Sequence, residues 1–232
     1  MAPPTSHDFA KGSTLSRVLE PEVMDDPLEA RDYDLMNHGE VNGRFVSDLL
    51  ALPADVSRTL DVGTGTAHIP IELCRQNASA RVLGVDLAFH MLRVGVARVE
   101  RAGLAGVVKL EPRDAKALGI ADGSFTCVMS NSLMHHLGDP GSVFEEMARV
   151  LAPAGWLFVR DLLRPDDDAQ VERLVALYAA GENERQRALL DASLRAALSL
   201  SELAEMTRCA GIGGDVIRKT SDRHWTLAWQ KR

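Results

Sequence analysis

The feature that most constrains this chain is Leu60-Asp61-Val62-Gly63-Thr64-Gly65-Thr66-Ala67, an apolar strand that stops in a glycine turn and opens a helix. A second acid, Asp86, closes another apolar run 21 residues beyond Gly65. Short apolar runs alternating with longer stretches of helical period predict β-α-β units and a parallel sheet. Such a sheet binds its ligand beyond the carboxyl ends of its strands, and glycine there lets the backbone approach closely. The pattern holds over residues 58–162, with strands expected over 59–62, 81–86, 107–111, 125–130 and 156–159. Helices over 69–76, 88–102 and 140–151 separate them, and Pro153-Ala154-Gly155 reads as the break after the last. Farther along, helices are expected over 166–181, 184–197 and 201–209, with Ser201 as the cap of the third. Two strands, 216–219 and 225–229, joined at Ser221-Asp222-Arg223, are expected to close the sheet antiparallel.

Charge narrows the ligand. The dinucleotide fingerprint G-x-G-x-x-G requires glycine at position 68, which is His68, so the close helix–strand packing that admits a pyrophosphate is missing. Asp61 at its strand end would repel phosphate and suit an ammonium group. Asp86 suits a ribose diol, because one carboxylate accepts from both hydroxyls. A ligand with adenosine, a free diol, a cationic amino-acid tail and no phosphate is S-adenosylmethionine. The plainer alternative has both acids merely capping turns.

Composition removes other classes. At 232 residues, 46% hydrophobic, the chain buries a core without needing disulfides or metal. Its 26 basic against 33 acidic residues, net −7, lack the basic field that phosphate backbones require, so no nucleic-acid partner is expected. Cys74, Cys127 and Cys209 form no C-x-x-C pair and read as reduced thiols, with no metal site. Asp166-Asp167-Asp168 reads as helix capping rather than as a metal cluster. The chain opens without a basic start and apolar run, and no segment approaches the roughly 18 apolar residues of a membrane span. A soluble, cytoplasmic protein, monomer or homodimer, without membrane insertion, is the expectation.

Five motifs in order then resemble the class I S-adenosylmethionine-dependent methyltransferases, particularly the small-molecule branch of the ubiquinone/menaquinone-biosynthesis type. The glycine turn matches the first, with Ala67 where a third glycine is usual, a methyl expected to tighten the pocket. Val85-Asp86-Leu87 with Met91-Leu92 resembles the second, and Arg113-Asp114-Ala115 before Asp122-Gly123-Ser124-Phe125 the adenine-edge motif. Residues 125–136 with Asp139-Pro140 resemble the fourth, and Arg149-Val150-Leu151 with Pro153, Gly155 and Trp156 the fifth. The resemblance implies a three-layer, Rossmann-like α/β fold with a mostly parallel seven-stranded sheet and a C-terminal antiparallel hairpin. It implies S-adenosylmethionine as cofactor, S-adenosylhomocysteine as product, and a small-molecule methyl acceptor. Cofactor contacts are expected from Asp61, Gly63, Thr64, Gly65, Asp86, Leu87, Met91, Asp114, Ala115 and Asn131.

Methyl transfer from a sulfonium asks for alignment, water exclusion and, for some acceptors, one base. Candidates stand at strand ends. Asn131 has an amide for substrate or methionine, and His135 or His136 can take a proton near neutral pH. Adjacent residues point apart, so at most one histidine is expected to face substrate, and the pair otherwise packs its loop. Arg160 either binds an anionic substrate group bidentately or, like Arg164, pairs internally with the Asp166–Asp168 run. Residues 1–57 are read as a helical lid with Tyr33, His38 and Asn42 as candidate contacts, residues 58–232 as the cofactor domain, and the 165–198 helices as a substrate cover. His224 is expected on a solvated hairpin. Two other classes stay open: a cofactor-binding regulatory or scaffold protein without turnover, and a nicotinamide-dependent oxidoreductase.

Overall fold

A computed structural model describes residues 15–20, 39–213 and 216–232. Helix α1 (Gly39–Leu50) precedes β1 (Thr59–Val62), α2 (His68–Gln76), β2 (Val82–Asp86), α3 (Phe89–Arg101) and β3 (Val108–Pro112). Then follow β4 (Phe125–Asn131), a 3-10 turn (Met134–His136), α4 (Pro140–Val150) and β5 (Leu151–Leu162). Helices α5 (Asp168–Tyr178), α6 (Glu184–Ala196) and α7 (Leu200–Cys209) lead to β6 (Ile217–Lys219) and β7 (His224–Gln230).

The seven strands form one sheet in the order β3-β2-β1-β4-β5-β7-β6. β1 to β5 run parallel, and β7 enters antiparallel between β5 and β6. The order reverses at β1 and β4, the switch point beyond which open α/β sheets hold their ligands.

Alternation along the central strands makes three layers. Val128, Leu157 and Val159 face a core with Val143, Phe144 and Met147 of α4 and Leu203 of α7. Their neighbours Cys127, Met129 and Phe158 face the other side, against Phe45, Val46 and Leu49 of α1 and Leu73 of α2. No helix among the described residues is long and apolar enough to cross a membrane.

Two sequence expectations are corrected. Pro153-Ala154-Gly155 does not separate α4 from a strand, because α4 ends at Val150 and β5 begins at Leu151. The triplet is instead an irregularity inside β5, where the pairing of Phe125 with Leu151 passes to that of Cys127 with Trp156. It stays in the sheet because Ala154 N–H donates to Lys231 O and Lys231 N–H to Gly155 O. The cap of α7 is Ser199, not Ser201: its hydroxyl accepts from Glu202 N–H while Glu202 reaches back to Ser199 N–H. That reciprocal pair satisfies two helix-end donors at once, which Ser201 cannot do. Asp167 caps α5 through Gln170 N–H and Asp168 pairs with Arg195, so the aspartate run serves helix ends.

Candidate active site

The glycine turn is held by β2. Gly63 and Thr64 N–H both donate to Val85 O at 2.9 and 3.0 Å, and Ser130 Oγ on β4 donates to Val62 O. Gly63 has φ 75° and Gly65 φ 53°, values a side chain resists, and they turn the chain from β1 into α2. Ala67 also sits at φ 62°, fully buried against Ile71, Val99 and Val108. Its methyl therefore packs between α2 and α3 instead of tightening the pocket.

Around this turn lies an open cavity of about 1070 Å³. Asp61, Gly63, Thr64 and Gly65 line it from β1, and Asp86, Leu87 and Met91 from β2 and α3. Asp114 and Ala115 follow from the loop after β3, Asn131 and His136 from the end of β4, and Asn42 from α1. These elements come from distant parts of the chain, and the strand ends bring them together. Tyr33 and His38 lie outside the described residues. His135 and Arg160 do not line the cavity.

Asp86 keeps the loop in shape. Its Oδ2 accepts from Gly65 N–H at 2.8 Å and its Oδ1 from Ala88 N–H at 2.9 Å. A carboxylate has about four acceptor sites, and with Leu87 N–H also acting on it part of that capacity remains for a diol. Burial raises its pKa, against the backbone donors that lower it. Asp61 is 2% exposed, and burial pushes its carboxyl up to about 7, with the charge of Asp86 adding to the effect. Among the described residues no cation pairs with it, so the site lacks one positive charge that an ammonium group would provide. Thr66 Oγ1, also on the wall, is buried without a hydrogen-bond partner. Asp114 accepts from Lys116 N–H through Oδ1. An uncompensated acid, a partly used acid and an orphaned hydroxyl around one glycine turn fit S-adenosylmethionine.

The two histidines part company. His135 is buried and gives its Nδ1 to Asp161, whose other oxygen accepts from Met134 N–H. Burial alone would lower the pKa of His135, but the Asp161 charge raises it. His136 faces the cavity, and burial together with the charge of His135 lowers its pKa. Glu20 Oε2 stands 2.9 Å from His136 Nδ1.

Arg160 is corrected from a substrate ligand to an internal strut. Its Nη2 donates to Asp48 on α1 at 2.7 Å, its Nε to Thr226 Oγ1 at 2.9 Å, and its guanidinium lies over Phe45 and Phe158. It points to the α1 face of the sheet, as strand alternation with Leu162 and Phe158 allows. Neither arginine pairs with the aspartate run: Arg164 meets Glu202. His224 is part-buried at the start of β7, bonded to Ser221 and lowered to about 4 mainly by burial, so the solvated hairpin expected there is only its turn. Ser132, with φ 57°, is a strained residue on the cavity wall.

A doubly layered sheet in this strand order, with acids at the ends of β1 and β2 around a glycine turn, defines the Rossmann-like class of S-adenosylmethionine-dependent enzymes. Residues 60–159 match the methyltransferase domain family. A demethylmenaquinone methyltransferase of Roseiflexus castenholzii is 30% identical over 196 residues, covering 78% of this chain and 81% of the relative. An arsenite methyltransferase of Aquipseudomonas alcaligenes is 35% identical over 134 residues, 54% of this chain but only 39% of that one. A SAM-dependent methyltransferase structure from Aquifex aeolicus superposes with a TM-score of 0.67 at 17% identity, covering 89% and 99% of the two chains, a likeness of fold alone. The chain belongs to the class I S-adenosylmethionine-dependent methyltransferases, in the small-molecule branch akin to the quinone-biosynthesis enzymes.

Proposed function

We propose that the protein methylates a small-molecule acceptor held beside His136, using the strand-end acids to hold S-adenosylmethionine. One observation carries this: Asp61, Asp86 and Asp114 share a single cavity with His136, Leu133 and Leu137, so donor-binding groups and an acid–base group open onto one space. S-adenosylmethionine supplies a methyl group already activated on sulfonium, which leaves the chain the tasks of binding, alignment and proton removal. Asp61 holds the ammonium group, Asp86 the ribose diol and Asp114 the adenine amine. Leu87, Met91 and Ala115 give apolar walls to the nucleoside, the Gly63-Thr64-Gly65 backbone bends around the amino-acid tail, and Asn131 orients methionine or acceptor through its amide.

Residues 1–57 and the 165–198 helices form the cover over the acceptor, with residues 58–232 as the cofactor domain. In support, Val18 N–H donates to Arg195 O and Arg17 Nε to Ala196 O at 2.7 Å, tying the described part of the N-terminal segment to the end of α6. The reaction is assigned to the cytoplasm and to a monomer or homodimer.

The test is release of S-adenosylhomocysteine with a panel of acceptors headed by demethylmenaquinone, the substrate in the name of the Roseiflexus relative, and including arsenite. Turnover with one small molecule is expected. Titration calorimetry with Asp86→Ala should show cofactor binding weakened at least tenfold, and unchanged affinity would remove Asp86 from the site.

A further inference from the structure

We propose that Glu20 is the positioning carboxylate of a Glu20–His136 dyad, through which the N-terminal segment completes the proton-accepting end of the site for acceptors that react through a hydroxyl. The assignment rests on the acceptor lying beside His136, as proposed above. Glu20 is 116 residues from His136 in sequence, yet its Oε2 is 2.9 Å from Nδ1, an ion-pair contact that falls short of hydrogen-bond geometry, with side-chain exposures of 11% and 18%.

The contact is built rather than incidental. Arg17, three residues before Glu20, donates to Leu137 O at 2.8 Å and reaches the carbonyls of Met134 and His135 at 3.4 and 3.3 Å, so it grips both sides of the turn that carries the histidines. The other histidine is already committed: His135 Nδ1 belongs to Asp161, and its ring stacks 4.0 Å from that of His136, tilted by 40°.

The chemistry follows from donor and acceptor inventory. An ionised carboxylate only accepts, so a hydrogen bond from His136 to Glu20 requires the proton on Nδ1, which leaves Nε2 of a neutral imidazole as the acceptor. The charged groups around His136 are His135 on its own turn, Glu20 on the N-terminal segment, Asp161 on β5 and Asp86 on β2. Burial and the charge of His135, which Asp161 favours, lower the pKa of His136, and the pKa of Glu20 is lowered as well because the groups around it, Ser193 and His135 together with His136, outweigh burial. When a phenol or enol hydroxyl reacts, its oxygen bonds to the methyl carbon as the carbon–sulfur bond breaks. That bond's electron pair stays on sulfur, and the hydroxyl proton passes to His136 Nε2. Glu20 then faces an imidazolium and stabilises the charge just formed, the role of the orienting acid in other acid–base pairs.

The experiment compares wild type with Glu20→Gln, Glu20→Asp and His136→Gln. Imidazole 15N NMR of the S-adenosylhomocysteine complex should show His136 protonated at Nδ1 in wild type and in Glu20→Asp, with that preference lost in Glu20→Gln. With a hydroxyl acceptor that turns over, Glu20→Gln should lower kcat at least tenfold, leave cofactor Kd within twofold, and move the acid limb of the kcat profile to lower pH, while Glu20→Asp recovers part of the rate. An unchanged tautomer and acid limb in Glu20→Gln, with His136→Gln inactive, would overturn the dyad alone. Full activity in His136→Gln would instead overturn the placement of the acceptor. A stoichiometric transition metal in the purified protein, lost in Glu20→Gln, would replace the dyad with a metal centre on Glu20, His135 and His136, whose ligand atoms lie within 4.8 Å of one another.

Discussion

With Asp61 proposed to hold the ammonium group, cofactor affinity should depend on pH near neutrality. Its carboxyl is pushed up to about 7 because burial disfavours the charge and, among the described residues, no cation offsets it. An ammonium group binds the ionised form, so binding drives the proton off. The ionised fraction is about 9% at about pH 6 and about 91% at about pH 8, and apparent affinity scales with that fraction, giving roughly tenfold weaker binding at the lower pH. That ratio is about 1.4 kcal/mol. Calorimetry in two buffers of different ionisation enthalpy should detect release of about 0.9 proton per cofactor bound at about pH 6. Asp61→Asn keeps the shape and removes the titration. It should bind roughly 10–100-fold more weakly at about pH 8, the scale of a lost charge-assisted hydrogen bond, and lose this component of the pH dependence. The ligand's own amine titrates in both proteins, so the difference between them isolates Asp61. Parallel pH profiles for the two would refute the assignment of Asp61 to the ammonium group.

Two further outcomes test the scaffold. Arg160→Met should lower unfolding free energy in urea by about 1–3 kcal/mol, since one partner, Asp48, is 40% exposed and the other contacts are internal, while cofactor affinity stays within twofold. Unchanged stability with a raised acceptor KM would return Arg160 to substrate binding. Gly155→Ala would place a Cβ 2.8 Å from Thr126 O and 2.9 Å from Ala152 O, both backbone atoms, and should cost about 1–3 kcal/mol, read as a lower Tm. An unshifted Tm would mean that the irregularity in β5 gives way freely.

The glycine turn and strand-end acids that line the candidate cofactor cavity are legible in sequence because each is local. Asp61 and Asp86 end apolar runs, the glycines demand a turn, and the helical periods between them set the parallel order. The hairpin is legible for the same reason. What sequence hides is set by partners far along the chain. Arg160 looks like a crevice residue by its place at a strand end, but alternation in β5 turns it to Asp48, 112 residues away. Glu20 carries no local signal at all: it lies in no periodic segment, and contacts of its neighbours Arg17 and Val18 with the turn at 134–137 and the end of α6 bring it to His136. The misplacement of the α7 cap is different, since the S-x-x-E pattern of Ser199 and Glu202 is present in the sequence and competes with a second serine two residues on.

The insertion of β7 between β5 and β6 has a consequence for how the chain is made. β5 is a long and largely buried strand, and along its far side residues 156–162 pair with β7. During synthesis that side stays an open row of donors and acceptors until residues 224–230 have left the ribosome, an arrangement that invites pairing with a neighbouring nascent chain. The cofactor turn, by contrast, is complete once β2 and β4 flank β1. Binding competence and protection from aggregation are thus acquired at different moments, and the interval between them is the time taken to translate about a hundred residues, roughly 5–20 s at ordinary elongation rates of about 5–20 residues per second.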